Sequence, residues 1–183
     1  MEAKHLLRVK ILLGKLANPS VVIVGVAALR LLPHSPNFTP IAGLALFGGA
    51  YLNRRYAILV PIAAMLVSDF FIGFYSPVVM LSVYGSFLLT GIIGLWLAKR
   101  KSATNVVFAA STSSILFFIA TNFAVWFAWY PKNLEGLTTC YTLAIPFFRN
   151  TLLGDLFYTG VFFGGYELVL RLVKKPALAA AGK

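Results

Sequence analysis

Long apolar runs broken by short polar turns dominate the chain. Runs over residues 20–32, 40–52, 56–74, 77–98, 105–128 and 150–173 read as six helices in a bilayer. The first two are short, since thirteen residues rise only ~20 Å against a ~30 Å hydrocarbon core. Three prolines, Pro33, Pro36 and Pro40, stand in the join between them, where Thr39 is placed to cap a helix opening on Pro40. Short helices with irregular backbone between them are stable in a membrane only where protein or a cavity covers them. The alternative is a plain loop between two tilted short helices. Between the fifth and sixth runs, Leu134, Leu137, Tyr141, Ile145 and Phe148 recur at helical spacing, opposite Glu135, Thr138, Thr139 and Thr142. That spacing predicts an amphipathic helix over 133–148 on the outer face, stopped near Pro146.

Composition agrees with this pattern. Hydrophobic residues make up 60% of the 183, and the mean hydropathy is +0.85. A soluble domain of this size has no core able to hide that much apolar surface. The formal charge of +11 would suggest nucleic acid in a soluble protein. Here the charge is sorted by turn instead. Thirteen of the 16 Lys and Arg lie before the first run, in the second and fourth turns, or at the end of the last run and beyond it. Arg30, Lys132 and Arg149 are the remaining three. Lys and Arg beside membrane spans are retained on the cytoplasmic side. The expectation is an all-α, six-helix bundle with both termini cytoplasmic, its basic face against anionic membrane lipid and no nucleic-acid partner. Residues 1–17 read as a basic amphipathic interfacial segment, 18–173 as the membrane domain and 174–183 as a cytoplasmic tail. Trp126, Trp129 and Tyr130 mark the outer headgroup level, and Trp96, Tyr51 and Tyr56 the inner one. Ala45 with Gly49, Ala110 with Ser114, and Gly160 with Gly164 are small-xxx-small pairs at which helices can approach.

Polar residues inside the apolar runs are the candidates for function. Arg30, Asp69, Asn122 and Asp155 each fall within ~10 Å of the outer end of a span, at ~1.5 Å per residue. A charge at such a depth costs up to ~3 kcal/mol unless it pairs or meets water. Arg30, Asp69, Asp155 and Arg149 are therefore expected to converge, with His34, Asn37 and Asn150 nearby. Thr151, Tyr158 and Thr159 share a face with Asp155, and Ser82, Ser86 and Thr90 line another span beside Tyr84. In the inner half the one acid is Glu167, close to Arg171 at i, i+4. This asymmetry favours an outward-facing pocket, with Trp126 and Tyr130 available for stacking and Cys140 near its lid. A structural reading, in which two Asp–Arg pairs pin helix ends together, accounts for the same residues. No Ser-His-Asp spacing, phosphate loop or HExxH pair occurs. Catalysis is not expected, the lone Cys140 with His34 and Asp69 being the one enzymatic alternative. No cofactor or metal is implied, and the single cysteine excludes an internal disulfide.

Two segments carry a resemblance. One is the run from Arg30 through Pro33-His34-Ser35-Pro36-Asn37 to Ala50. The other comprises Asn122-Phe-Ala-Val-Trp126, Tyr130-Pro-Lys, Cys140-Tyr and Pro146 through Arg149-Asn150 to Asp155. They resemble a family of small, uncharacterised bacterial membrane proteins. More distantly, the chain is similar to the substrate-binding S components of energy-coupling-factor vitamin transporters. The order of His34, Asp69, Tyr84 and Arg149 resembles that of solitary cobalamin-type members, with Met80 where those place a cysteine. The resemblance implies a multi-pass protein of the bacterial cytoplasmic membrane. It would capture a small vitamin-like or nucleobase-like molecule from outside and hand it inward with an ATP-driven energising complex. Substrate contacts would come from Arg30, His34, Asn37, Asp69, Tyr84, Asn122, Trp126, Tyr130, Cys140, Arg149, Asn150 and Asp155. A proton-coupled carrier using Asp69 and Asp155, and a non-transporting scaffold subunit, are the alternatives.

Overall fold

The computed structural model describes residues 25–181 apart from 27, 34 and 53, with the backbone alone at 56, 57, 169, 170 and 172–181. Expectations for the 1–17 segment and for His34 lie outside the described residues. Among the described residues all regular structure is helical. A helical segment ending at residue 31 leads through the proline-rich loop into five helices. These are α1 (Ile41–Tyr51), α2 (Arg54–Ile72), α3 (Pro77–Leu97), α4 (Ala103–Trp129) and α5 (Leu134–Ala181). By length and composition α3 and α4 can cross a membrane, while α1 and Ile58–Ile72 of α2 are shorter apolar helices.

The shortest helix is the central one. α1 is in contact with α2, α3, α4 and α5, and nine of its 11 residues are buried. An 11-residue helix rises only ~17 Å, so it cannot span a bilayer alone. Surrounded by other helices, it does not need to meet lipid. Its smallest residues allow the close approach. A Cβ at Gly49 would lie 2.5 Å from the Gly94 carbonyl carbon, and one at Gly43 2.9 Å from the Thr159 nitrogen. The Ala45/Gly49 pair thus seats on Gly91 and Gly94 of α3. Ala110 and Ser114 of α4 are likewise buried, with Ser114 turned to α5. Gly160 and Gly164 are different: a Cβ there would meet nothing within 4 Å. Among the described residues that pair is not a helix contact, because no neighbouring backbone reaches it.

Two local expectations are corrected. Pro40 itself, not Thr39, is the N-cap of α1, and no side chain caps it. Pro40 sits in helical backbone, so its carbonyl already accepts from Leu44 N at 2.9 Å. The 133–148 stretch does not end near Pro146; it is the first part of the 48-residue α5. A proline deletes one helical hydrogen bond and bends the helix without necessarily ending it. Contacts on both sides of Pro146 hold the axis to α4. The Phe118 ring lies 5.5 Å from Tyr141 and 4.8 Å from Phe148, centre to centre, and the Tyr141 hydroxyl donates to Ile119 O at 2.6 Å.

Candidate functional site

Two buried acids define the interior. Asp69, on α2, is 1% exposed. Arg30 Nη1 donates to its Oδ1 at 2.5 Å, and the Tyr84 hydroxyl of α3 donates to Oδ2 at 2.7 Å. The same Arg30 nitrogen donates to Ser68 Oγ at 2.5 Å, and Ser68 donates in turn to Met65 O. This node ties the segment before the loop to α2 and α3. Tyr75, in the connection between α2 and α3, stands beside it. Burial, and then the charge of Asp69, push its hydroxyl up to about 12.

Asp155 has a different environment. It is 3% exposed on α5, and Ser114 Oγ donates to its Oδ2 at 2.6 Å. Arg149, expected to converge on the same cluster, is exposed and forms no ion pair among the described residues. Six residues separate Arg149 from Asp155, which places them on different faces of one continuous helix. Nor does Asp155 share a level with Asn122, as counting from span ends suggests. It meets Ser114, eight residues and ~12 Å from Asn122 along α4. The offset follows from α5 starting at Leu134 and running beside α4, so that Tyr141 meets Ile119 before Asp155 reaches Ser114. Two buried hydroxyls on the same helices, Ser113 Oγ and Thr159 Oγ1, have no hydrogen-bond partner among the described residues.

Both acids' surroundings meet in one cavity of about 250 Å³. Its polar lining is Arg30, Asn37, Thr39, Tyr75, Thr151 and Asp155. Met65, Val83, Phe87 and Phe117 supply the apolar lining, with the Phe87 and Phe117 rings 5.3 Å apart, centre to centre. A second cavity of about 270 Å³ adjoins it, sharing Asn37, Val83, Phe117 and Thr151 and adding Asn122.

The proline-rich loop contributes Asn37 and Thr39 to the first cavity's lining. Asn37 takes a left-handed φ of 64°, which asparagine tolerates better than most residues. The turn closes with Phe38 N donating to Ser35 O at 3.0 Å. Phe38 then seats on α5, its ring centre 5.5 Å from that of Tyr158 and its Cα facing Gly154. Asn150 Nδ2 donates to Pro36 O at 3.1 Å. Asn150 therefore anchors the loop.

Other expected site residues lie elsewhere. Trp126 Nε1 donates to Pro131 O at 2.9 Å, and Lys132 Nζ donates to the Trp126 and Tyr130 carbonyls. These contacts shape the turn between α4 and α5, and neither Trp126 nor Tyr130 lines the two cavities. Cys140 is buried, with its Sγ directed at Asn122 O at 3.5 Å. Asn122 donates to Phe118 O in its own helix. Ser82, Ser86 and Thr90 donate to carbonyls one turn back in α3, so they satisfy themselves locally. Glu167 accepts from the Tyr51 hydroxyl at 2.7 Å, not from Arg171.

Sequence reasoning did not single out Tyr75 or the Phe87–Phe117 pair, and it read Thr39 as a helix cap and not as a cavity residue. Tyr75 had a usable signal: it lies in a four-residue connection at the same end as Asp69 and the proline-rich loop. The aromatic pair had none, because phenylalanine in an apolar helix reads as core or as lipid-facing surface.

Comparison with curated proteins and with solved structures returns no match. Residues 13–178 match the profile described as "Family of unknown function (DUF6580)". The match covers nearly the whole chain, and the protein belongs to that family.

Proposed function

We propose that the chain is a multi-pass protein of the bacterial cytoplasmic membrane, with both termini inside, that captures a small vitamin-like or nucleobase-like molecule from outside for uptake. The observation that carries this reading is the cavity over Asp155. It combines a two-ring apolar wall, a carboxylate, a threonine hydroxyl and an asparagine under a pinned loop. Binding sites for small molecules have this make-up, mostly apolar with a few convergent polar groups. A planar heterocycle would lie against Phe87 and Phe117 and donate hydrogen bonds to Asp155. Among the described residues nothing resembles a nucleotide-phosphate loop, so uptake would draw energy from a partner complex, as in the S components the sequence resembles. The runner-up, a proton-coupled carrier, is favoured by one observation. Asp155 is buried and forms no ion pair among the described residues, and the buried hydroxyls of Ser113 and Thr159 on the same two helices have no hydrogen-bond partner among them.

Native mass spectrometry of the detergent-purified protein tests capture by looking for a copurified small molecule. Asp155→Asn and Thr151→Val should each strip that molecule, while the exposed Arg149→Leu should keep it. Retention by all three variants would remove the cavity from consideration. Uptake abolished by collapsing the proton gradient, with no dependence on a partner, would favour the carrier. Sidedness is checked by labelling Ser102→Cys and Ser35→Cys in a Cys140→Ser background. Labelling of Ser102→Cys from outside sealed cells would reject the topology.

A further inference from the structure

The end of the bundle at the α3–α4 turn carries a cleft of about 570 Å³ that shares no lining residue with the cavity over Asp155. Its walls are apolar: Val106 and Val107 of α4 face Phe163 of α5. Gly160 and Gly164 form its floor, and both have open space where a side chain would stand. These glycines hold a trough open along α5. The mouth of the trough is basic, with Lys101, Arg171 and the α4 cap Ser102. Lys101 Nζ sits 3.8 Å from the centre of the Tyr51 ring. The acid at the mouth, Glu167, is engaged by the Tyr51 hydroxyl. Lys99 and Arg100 add positive charge in the same turn, and the N-terminus of α4 carries the positive end of its helix dipole.

We propose that this cleft binds one anionic phospholipid, with its phosphate between Lys101 and Arg171 and an acyl chain in the glycine-floored trough. The occupant follows from pairing a cationic mouth with an apolar channel. A free anion would leave the trough walls in water. The proposal rests on the membrane reading above but not on the capture of a solute.

The experiment is native mass spectrometry of the full-length protein in detergent, titrated with dioleoyl phosphatidylglycerol or dioleoyl phosphatidylcholine. A basic residue beside an anionic lipid surface contributes roughly five-fold in affinity. Wild type should retain phosphatidylglycerol at least about ten-fold over phosphatidylcholine by that scale. Lys101→Gln/Arg171→Gln should remove the preference, and Gly164→Leu, which fills the trough, should lower retention of both lipids. Lys99→Gln/Arg100→Gln removes equal charge outside the cleft and should lower the preference much less. The proposal is overturned by equal retention of the two lipids in wild type, or by equal loss of preference in the two double variants. Competition by glycerol phosphate as strong as by the lipid would overturn it too, as would a dimer that Gly164→Leu dissociates. Protein extracted without detergent that binds neither lipid would instead sink the membrane reading.

Discussion

Asp69 and Asp155 are the same residue type at nearly the same burial, yet their surroundings differ in kind. Asp69 accepts hydrogen bonds from a guanidinium and a phenol supplied by two other parts of the chain. Asp155 accepts from one serine and opens onto the cavity. A buried charge with a well-placed cation and further donors holds helices together; removing one partner leaves the other uncompensated. A buried acid left with one neutral donor adds little to the packing. It persists in a fold when something else uses it, and the cavity at its side is where that use would occur. The difference separates a structural clamp from a candidate ligand group.

The largest effect should come from breaking the clamp. Asp69→Leu should cost ~3–5 kcal/mol of stability, because Arg30 is then left without its carboxylate. Arg30→Leu in the same chain should recover much of that loss. Reversible unfolding in mixed micelles measures both. If Asp155→Leu cost as much as Asp69→Leu, the distinction between the two acids would disappear. Its expected cost is only ~1–2 kcal/mol, since Ser114 still donates to Ala110 O.

The next largest effect concerns binding. Asp155→Asn keeps the shape and the bond to Ser114 but removes the charge. It should weaken the copurified or screened ligand by ~1.5–3 kcal/mol while moving stability by less than ~1 kcal/mol. Ligand titration beside unfolding of the same variant separates the two readouts. A variant that unfolds easily and binds normally would make Asp155 the clamp.

Smaller changes sharpen the picture. Tyr84→Phe removes one of the donors to Asp69 and should cost ~1 kcal/mol with no change in ligand affinity. Thr90→Val should move either quantity by under ~0.5 kcal/mol, because the Thr90 hydroxyl bonds only back to Ser86 in its own helix. A measurable loss of affinity in Thr90→Val would extend the site into the bundle beyond the Asp155 cavity.

Much of the helical outline was legible in the residues. The runs at 40–52, 56–74, 77–98 and 105–128 lie within two residues of α1 to α4 at each end, because turn residues and apolar stretches are local signals. The sixth run was legible as helix but not in extent. Pro146 reads as a stop, and only ring contacts on both sides of it show why α5 continues. That Arg30, Asp69, Asp155 and Arg149 need partners was legible from the cost of charge in apolar surroundings, but not which Arg meets which Asp. The expectation that Arg149 joins that cluster followed the same logic and fails, since counting from span ends fixes depth only when helix starts are known.

What the sequence by itself determined is the inventory: which stretches are helical, which polar groups lie within them, and that small residues at Ala45 and Gly49 permit close packing. Those properties depend on neighbours a few positions away along the chain. The tertiary structure alone decided that the short α1 occupies the centre, that Asp69 is clamped while Asp155 is not, and that Gly160 and Gly164 line a cleft. Each of these depends on which helices meet and at what offset. That offset is set by backbone approach at Gly43, Gly49 and Gly94, a distance in space that no spacing along the chain encodes.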